Sequence, residues 1–202
     1  MSDLFKQKAG EWDASQMRVQ LSSAIGSSIL KHVSLNDGMQ VMDFGAGTGL
    51  LTAHIAPRVQ QVAAVDTSAS MLERLAAKPE FAGKVTPVCQ DITETPLATR
   101  FDLIISAMAM HHVEDTRKLF SSFARHLQPD GRIALADLDK EDGTFHPADA
   151  EGVFHHGFAR DDLQAIIAQN GFEDIQFETA HTVDKEGKQY PIFLVMARKQ
   201  AT

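Results

Sequence analysis

Residues 41 to 49 read Val41-Met42-Asp43-Phe44-Gly45-Ala46-Gly47-Thr48-Gly49. Apolar residues lead into an acid, and three glycines follow at alternate positions. A helix-compatible run, Leu50 to Ala56, comes next. Strand, glycine turn and helix in that order bring a nucleotide-like ligand against backbone amides. Glycines at 45 and 47 let the backbone approach such a ligand closely. The spacing is G-x-G-x-G, and Leu50 stands where the dinucleotide fingerprint places its third glycine. Asp43 is the only charged side chain of the loop. An acid there repels pyrophosphate and suits a ligand carrying an ammonium group.

Outward from the loop, the next acid in the pattern is Asp66, in Ala64-Val65-Asp66-Thr67-Ser68. It ends a second apolar run, about twenty residues on, where a carboxylate accepts hydrogen bonds from both ribose hydroxyls of an adenosine. NAD and S-adenosylmethionine share that ribose, so Asp66 does not separate them. After a third run comes Gln90-Asp91-Ile92. There an acid can accept from the exocyclic amine of adenine, and Ile92 offers an apolar face to the ring.

Strand and helix patterns alternate along the chain. A helix is expected up to about Val33, with Met17, Leu21, Ile25 and Ile29 at helical spacing. Strands are expected at Met39–Asp43, Gln61–Val65, Lys84–Val88, Phe101–Ala107 and Arg132–Ala136, with two closing strands near Ile175–Thr179 and Ile192–Ala197. Helices fall between them: Leu50–Pro57, Ser68–Lys78 with Ser68 as N-cap, Asp115–Leu127, and Arg160–Asn170 ended by Gly171. Pro129-Asp130-Gly131 reads as a turn. Residues 137–159 show no period and hold acids, glycines and histidines, as functional loops or lids do. The pattern predicts an α/β sheet covered on both faces. It is read as one domain over 1–202, with an N-terminal helical cap over 1–35 and a Rossmann-like core over 36–202.

Bulk composition narrows the partners. The chain has 202 residues and a net charge of −8, with Lys and Arg scattered. Nucleic-acid binders carry a basic face, so no nucleic acid is expected. No apolar run reaches the ~20 residues that span a bilayer, and Met1 to Gly10 lack a signal-peptide apolar stretch. No membrane partner and a cytoplasmic location follow as expectations. Cys89 is the single cysteine, which rules out an intrachain disulfide, and it is expected to be a small residue near the core.

These residues resemble the class I S-adenosylmethionine-dependent methyltransferases, and the match runs over nearly the whole chain. It rests on the loop Asp43 to Gly49, Asp66, the Asp91-Ile92 pair and the strand Phe101-Asp102-Leu103-Ile104-Ile105-Ser106. His111-His112 after that strand and the turn Leu127-Gln128-Pro129-Asp130-Gly131-Arg132 belong to it too. The resemblance implies a doubly wound, mostly parallel seven-stranded sheet whose last strand is antiparallel. It implies S-adenosylmethionine as cofactor and a small-molecule methyl acceptor. Asp43, Gly45, Ala46, Gly47 and Gly49 would hold the methionine part, Asp66 with Thr67 the ribose, and Asp91 with Ile92 the adenine. Met71 matches a position that packs on adenine, and Ala107 ends the strand beside the cofactor. Phe5 to Asp13, with Trp12, is similar to a lid segment of small-molecule members such as the quinone-biosynthesis methyltransferases.

Methyl transfer needs alignment and exclusion of water, and a general base only where the acceptor keeps its proton. Of nine histidines, His111, His112, His146, His155 and His156 lie in the two loops expected near the cofactor. His111 and His155 are the candidate bases; Phe154 and Phe158 flank the second as pocket walls. Asp137, Asp139 and Asp142 read as solvated loop acids, and no metal is expected. Two other readings stand beside this one. A nucleotide-dependent oxidoreductase conflicts with Leu50 and Asp43. A non-catalytic adenosyl-binding protein would show the same binding residues.

Overall fold

The structure is a computed structural model that describes Asp3, Lys6 and residues 9–147 and 149–201. A 3-10 turn over Ala9–Ala14 leads into α1, Gln16–His32. Then follow β1 (Gln40–Phe44), α2 (Thr52–Ile55), β2 (Gln61–Asp66), α3 (Ala69–Ala76) and β3 (Val85–Cys89). The second half holds β4 (Phe101–Ala107), α4 (Thr116–His126), β5 (Leu127–Leu138), α5 (Arg160–Gln169), β6 (Phe172–Lys185) and β7 (Lys188–Lys199).

The seven strands form one sheet in the order β3-β2-β1-β4-β5-β7-β6. β1 to β5 pair in parallel, and β7 runs antiparallel to both neighbours. The strand order reverses between β1 and β4. In open α/β sheets, ligands bind in the crevice at the carboxyl ends of the strands at such a reversal. Both the glycine loop, which follows β1, and the residues after β4 lie there.

Period-two alternation divides the core between the faces of the sheet. Val41, Leu103, Ile105, Ala134, Ala136, Ile192 and Leu194 share one cluster with Leu21, Ile25 and Ile29 of α1 and Ile55 of α2. Met42, Ile104, Ile133, Leu135, Phe193 and Val195 share the other with Leu119, Phe120 and Phe123 of α4 and Leu163 and Ile167 of α5. α1 is thus a layer of the core, and only the 3-10 turn before it remains as a separate cover. Side-chain caps fix the helix starts: Ser68 accepts from the Met71 N–H and Asp115 from the Lys118 N–H.

Two elements differ from expectation. The Pro129-Asp130-Gly131 turn does not separate α4 from a short strand; it is a bulge inside β5. Pairing with β4 jumps from Phe101↔Leu127 to Leu103↔Arg132, and Asp130 takes φ 60°. The closing strands are also longer than their apolar runs. β6 and β7 form a hairpin out to Lys185↔Lys188, turned by Glu186 and Gly187 at φ 55° and 79°. Two consecutive left-handed residues are the hairpin turn that matches strand twist. Charged and polar residues hide the extension in the sequence. Buried Val183 and Tyr190 pair within it and join the core.

Candidate active site

The glycine loop is held by its neighbour strand. The N–H groups of Gly45 and Ala46 donate to Val65 O at 2.8 and 3.1 Å. Gly45 takes φ +67°, and a Cβ there would meet the Ala109 Cβ at 2.2 Å. The loop after β4 therefore lies directly against the loop after β1. Gly47 takes φ +54° and has nothing within 4 Å of a built Cβ, so this glycine faces the open mouth of the crevice. Gly49 is different: a Cβ there would meet Phe81 at 2.7 Å, so its role is close packing.

Asp66 links this loop to the start of α3. Its Oδ2 accepts the Gly47 N–H at 2.7 Å, and its Oδ1 accepts the Ser68 N–H at 2.8 Å. Burial raises its pKa above the ordinary value against the pull of these hydrogen bonds. Thr67 beside it is exposed. Asp91 uses Oδ1 to accept from both the N–H and the hydroxyl of Thr93, a local turn that fixes its carboxylate at the carboxyl end of β3. The N-terminal segment reaches over this region. Asp3 accepts from the hydroxyls of Ser68 and Ser70, and Asp13 accepts from Thr48 Oγ1 at 2.5 Å while pairing with Lys78 at 2.7 Å. Trp12 is half-buried under the Arg18 guanidinium, 3.9 Å from the ring centroid. Of the expected lid Phe5 to Asp13, Phe5, Gln7 and Lys8 lie outside the described residues.

Three expected binding residues are enclosed. Met71 and Ile92 are 1% and 0% exposed. Ile92 packs in the cluster of Met42, Val65 and Phe123, so its side chain does not present a face to a ring in the crevice. Helical and strand packing recruited an apolar side chain that the sequence placed at the mouth. Asp43 is also enclosed and accepts the Thr52 hydroxyl at 2.5 Å. Burial pushes its pKa up to about 7; the Thr52 hydrogen bond opposes the shift and nearby Asp66 adds to it. A buried acid in that state favours a cation beside it.

The chemical centre of the crevice is His111. Register pairs Ala107, which is half-buried at the end of β4, with Ala136 of β5, and the Met108 N–H donates to Ala136 O at 2.9 Å. That sets the next residue of β5, Asp137, against the segment after β4. Asp137 Oδ1 lies 2.7 Å from His111 Nδ1, and Oδ2 accepts the His111 backbone N–H at 3.2 Å. Burial alone would raise the Asp137 carboxyl. The charge that His111 carries when protonated and its hydrogen bond, with the Leu138 and His111 N–H groups, outweigh it and hold the acid below its ordinary value. An ionised Asp137 makes His111 Nδ1 the donor, so the Nε2 lone pair is free to accept. That Nε2 is buried and, among the described residues, has no hydrogen-bond partner. Met108 takes φ 57°, a strained conformation for a non-glycine residue, and this bend directs the chain toward His111. The rings of His112 and His146 lie 4.2 and 4.9 Å from that of His111.

His155, the other candidate base, does not join this group. Its Nε2 lies 3.0 and 3.1 Å from the carbonyls of Val113 and Glu114, so that nitrogen must donate there and is taken up in a structural contact. It ties residues 153–158 to the start of α4. The Phe154 and His155 N–H groups donate to His111 O, so the same segment also braces His111 from behind. Asp139 is a salt-bridge partner of Arg160 and Asp142 of Lys188. Among the described residues no group of three His, Cys, Asp or Glu is placed to hold a metal ion.

Sequence reasoning missed Asp137 as the partner of His111, and also Thr52; it placed His146 in a loop near the cofactor but gave it no role of its own. Asp137 was the accessible one: parallel strands ending level put an acid just after β5 beside the residues just after β4.

A family model for a methyltransferase domain matches residues 41–131. An uncharacterized methyltransferase of Geobacillus kaustophilus is 32% identical over 151 residues, covering 69% of this chain and 68% of the relative. One from Schizosaccharomyces pombe is 30% identical over 158 residues, covering 70% of this chain and 56% of the relative. The chain thus spans little more than half the length of that second relative. Among solved structures, a Haemonchus contortus phosphoethanolamine N-methyltransferase 2 in complex with S-adenosyl-L-methionine superposes with a TM-score of 0.71. It is 18% identical and the match covers 97% of this chain and 60% of that one, a likeness of fold.

Proposed function

The chain belongs to the class I S-adenosylmethionine-dependent methyltransferases, and we propose that it methylates a small-molecule acceptor with His111 as general base. The observation that carries the proposal is the buried His111–Asp137 pair at the strand-order reversal, with His111 Nε2 left without a partner. The crevice suits the cofactor. Gly47 opens onto free space, Asp66 presents a half-buried carboxylate to a ribose, and Asp43 is a buried acid that favours an ammonium group. When bound, S-adenosylmethionine supplies a methyl group on a positively charged sulfur.

The chain's own residues would then act on the acceptor. His111 Nε2 takes the proton from the acceptor's hydroxyl or amine, which leaves a lone pair on the attacking atom. Asp137 holds Nδ1 protonated, fixes the ring and stabilises the imidazolium that forms. His146 and the segment 153–158, which pack against His111 through its ring and its backbone carbonyl, would help exclude water. A small acceptor is supported by the net charge of −8 and by the crowded histidine group over the base. The Haemonchus neighbour is named for a small amine acceptor. Packing of α1 in the common core supports one domain over the chain.

A panel of small hydroxyl and amine compounds, followed by release of S-adenosylhomocysteine, tests the reading. The expected result is release that depends on one acceptor class. His111→Ala should cut kcat by about 100-fold or more with cofactor affinity retained. Undiminished turnover in a folded His111→Ala protein would overturn the assignment of the base.

A further inference from the structure

His146 is the member of the histidine group that the proton transfer does not use. Its ring stands 4.9 Å from His111, 6.2 Å from His112 and edge-on to Phe145 at 5.0 Å. Its Nε2, like that of His111, is buried without a hydrogen-bond partner among the described residues. Buried polar atoms in folded proteins nearly always have a partner. The orphan on His111 is explained by a base awaiting a proton; a second orphan on a neighbouring ring needs its own explanation.

His146 is also held firmly in place. The N–H groups of Thr144 and Phe145 donate to Glu141 Oε2 at 2.8 and 3.1 Å, and Lys185 Nζ donates to Phe145 O at 2.8 Å. Thr144 Oγ1 and Tyr190 Oη lie 2.7 Å apart. A side chain anchored on both the loop and the β6–β7 hairpin is positioned before any ligand arrives. Burial lowers the pKa of His146 to about 4, helped by the charges of His111, His112 and Lys185 and opposed by Asp137. It is therefore neutral at physiological pH, a hydrogen-bonding group and not a counter-ion.

We propose that His146 determines acceptor specificity at this same site: its Nε2 hydrogen-bonds a second, uncharged polar group of the acceptor, on the carbon next to the one that bears the methylated atom. The proposal rests on His111 being the base. Ring centres 4.9 Å apart, tilted by 41°, suit two polar groups on neighbouring carbons. An acceptor with a single hydroxyl leaves the His146 nitrogen buried and unpaired, and one with an adjacent carboxylate meets no positive charge there. Both are disfavoured by the desolvation of an unsatisfied group.

Calorimetry tests this with three probes added to protein saturated with S-adenosylhomocysteine: catechol, phenol and salicylate. Catechol should bind at least about tenfold more tightly than either of the others, the ratio of one buried hydrogen bond. His146→Leu should bring catechol to the level of phenol and leave phenol unchanged. His146→Gln, which keeps a polar end at similar reach, should restore part of the preference. Equal binding of catechol and phenol by the wild-type protein would overturn the proposal, as would an equal loss of both in His146→Leu. The saturation step separates the two readings. Protein that does not bind S-adenosylhomocysteine contradicts the methyl-donor reading, whereas protein that binds it without preferring catechol contradicts only the role of His146.

Discussion

Asp137 Oδ1 and His111 Nδ1 stand 2.7 Å apart, the acid one residue beyond the last β4–β5 pair and the histidine three residues beyond the bend at Met108. The pair sets the tautomer of His111. Asp137→Asn can present its amide N–H to Nδ1, which moves the ring proton to Nε2 and removes the accepting lone pair. Turnover should fall by about 100-fold or more, with affinity for S-adenosylhomocysteine within about twofold of wild type. Steady-state kinetics beside calorimetry checks this. A loss confined to KM would point to a binding role instead.

Asp43 gives the protein a pH signature. Its pKa is near 7 when folded, against an ordinary 3.8. Between those values the folded state holds a proton that the unfolded chain releases. Stability without ligand should therefore fall as pH rises from about 4 to 7. Asp43→Asn removes this dependence and should raise the thermal midpoint at pH 8. Binding of an ammonium-bearing ligand runs the other way, because the ligand favours the carboxylate. Affinity for S-adenosylhomocysteine should rise by about tenfold from pH 6 to 8, and Asp43→Asn should flatten the curve. A flat wild-type curve would place the ammonium elsewhere.

Gly45 and Gly47 separate packing from binding. Both have positive φ, so alanine at either costs about 1 kcal/mol in backbone strain. At position 45 the new methyl also collides with Ala109; at 47 it enters open space. Gly45→Ala should lower the thermal midpoint by several degrees more than Gly47→Ala. Gly47→Ala should weaken S-adenosylhomocysteine binding in a protein close to normal stability. Thermal melts with and without ligand distinguish the two.

His155 should behave as a brace. His155→Ala removes the tie to the Val113 and Glu114 carbonyls. Faster hydrogen exchange over residues 153–158 is expected, with a fall in kcat much smaller than that of His111→Ala. Equal losses in the two variants would restore His155 as a participant in proton transfer.

The readable parts of the chain share a cause. β4 was legible to the residue because Phe101–Ala107 is an apolar run buried on both faces. The starts of α3 and α4 were marked by Ser68 and Asp115, caps whose chemistry is local. The β6–β7 hairpin beyond Thr179 was not legible, because Asp184, Lys185 and Lys188 disguise paired strands. In the site, the glycines and Asp66 were visible from spacing, and the structure joins them through the Gly47 N–H. The His111–Asp137 pair depends on register between strands far apart in sequence. His146 sits in a segment with no period, where only the anchors at Glu141, Lys185 and Tyr190 fix its place. Ile92 was expected at the mouth, and its side chain lies in the core because a residue beside a loop acid can as easily turn inward.

The central claim is that this crevice takes S-adenosylmethionine and not a dinucleotide. Calorimetric titration of the protein with S-adenosylhomocysteine and, separately, with NADH tests it most directly. One S-adenosylhomocysteine should bind per chain, NADH should give no heat, and Asp66→Ala should bind more weakly because it loses the ribose hydrogen bonds. Binding of NADH alone, or of S-adenosylhomocysteine with undiminished affinity in a folded Asp66→Ala protein, would contradict it.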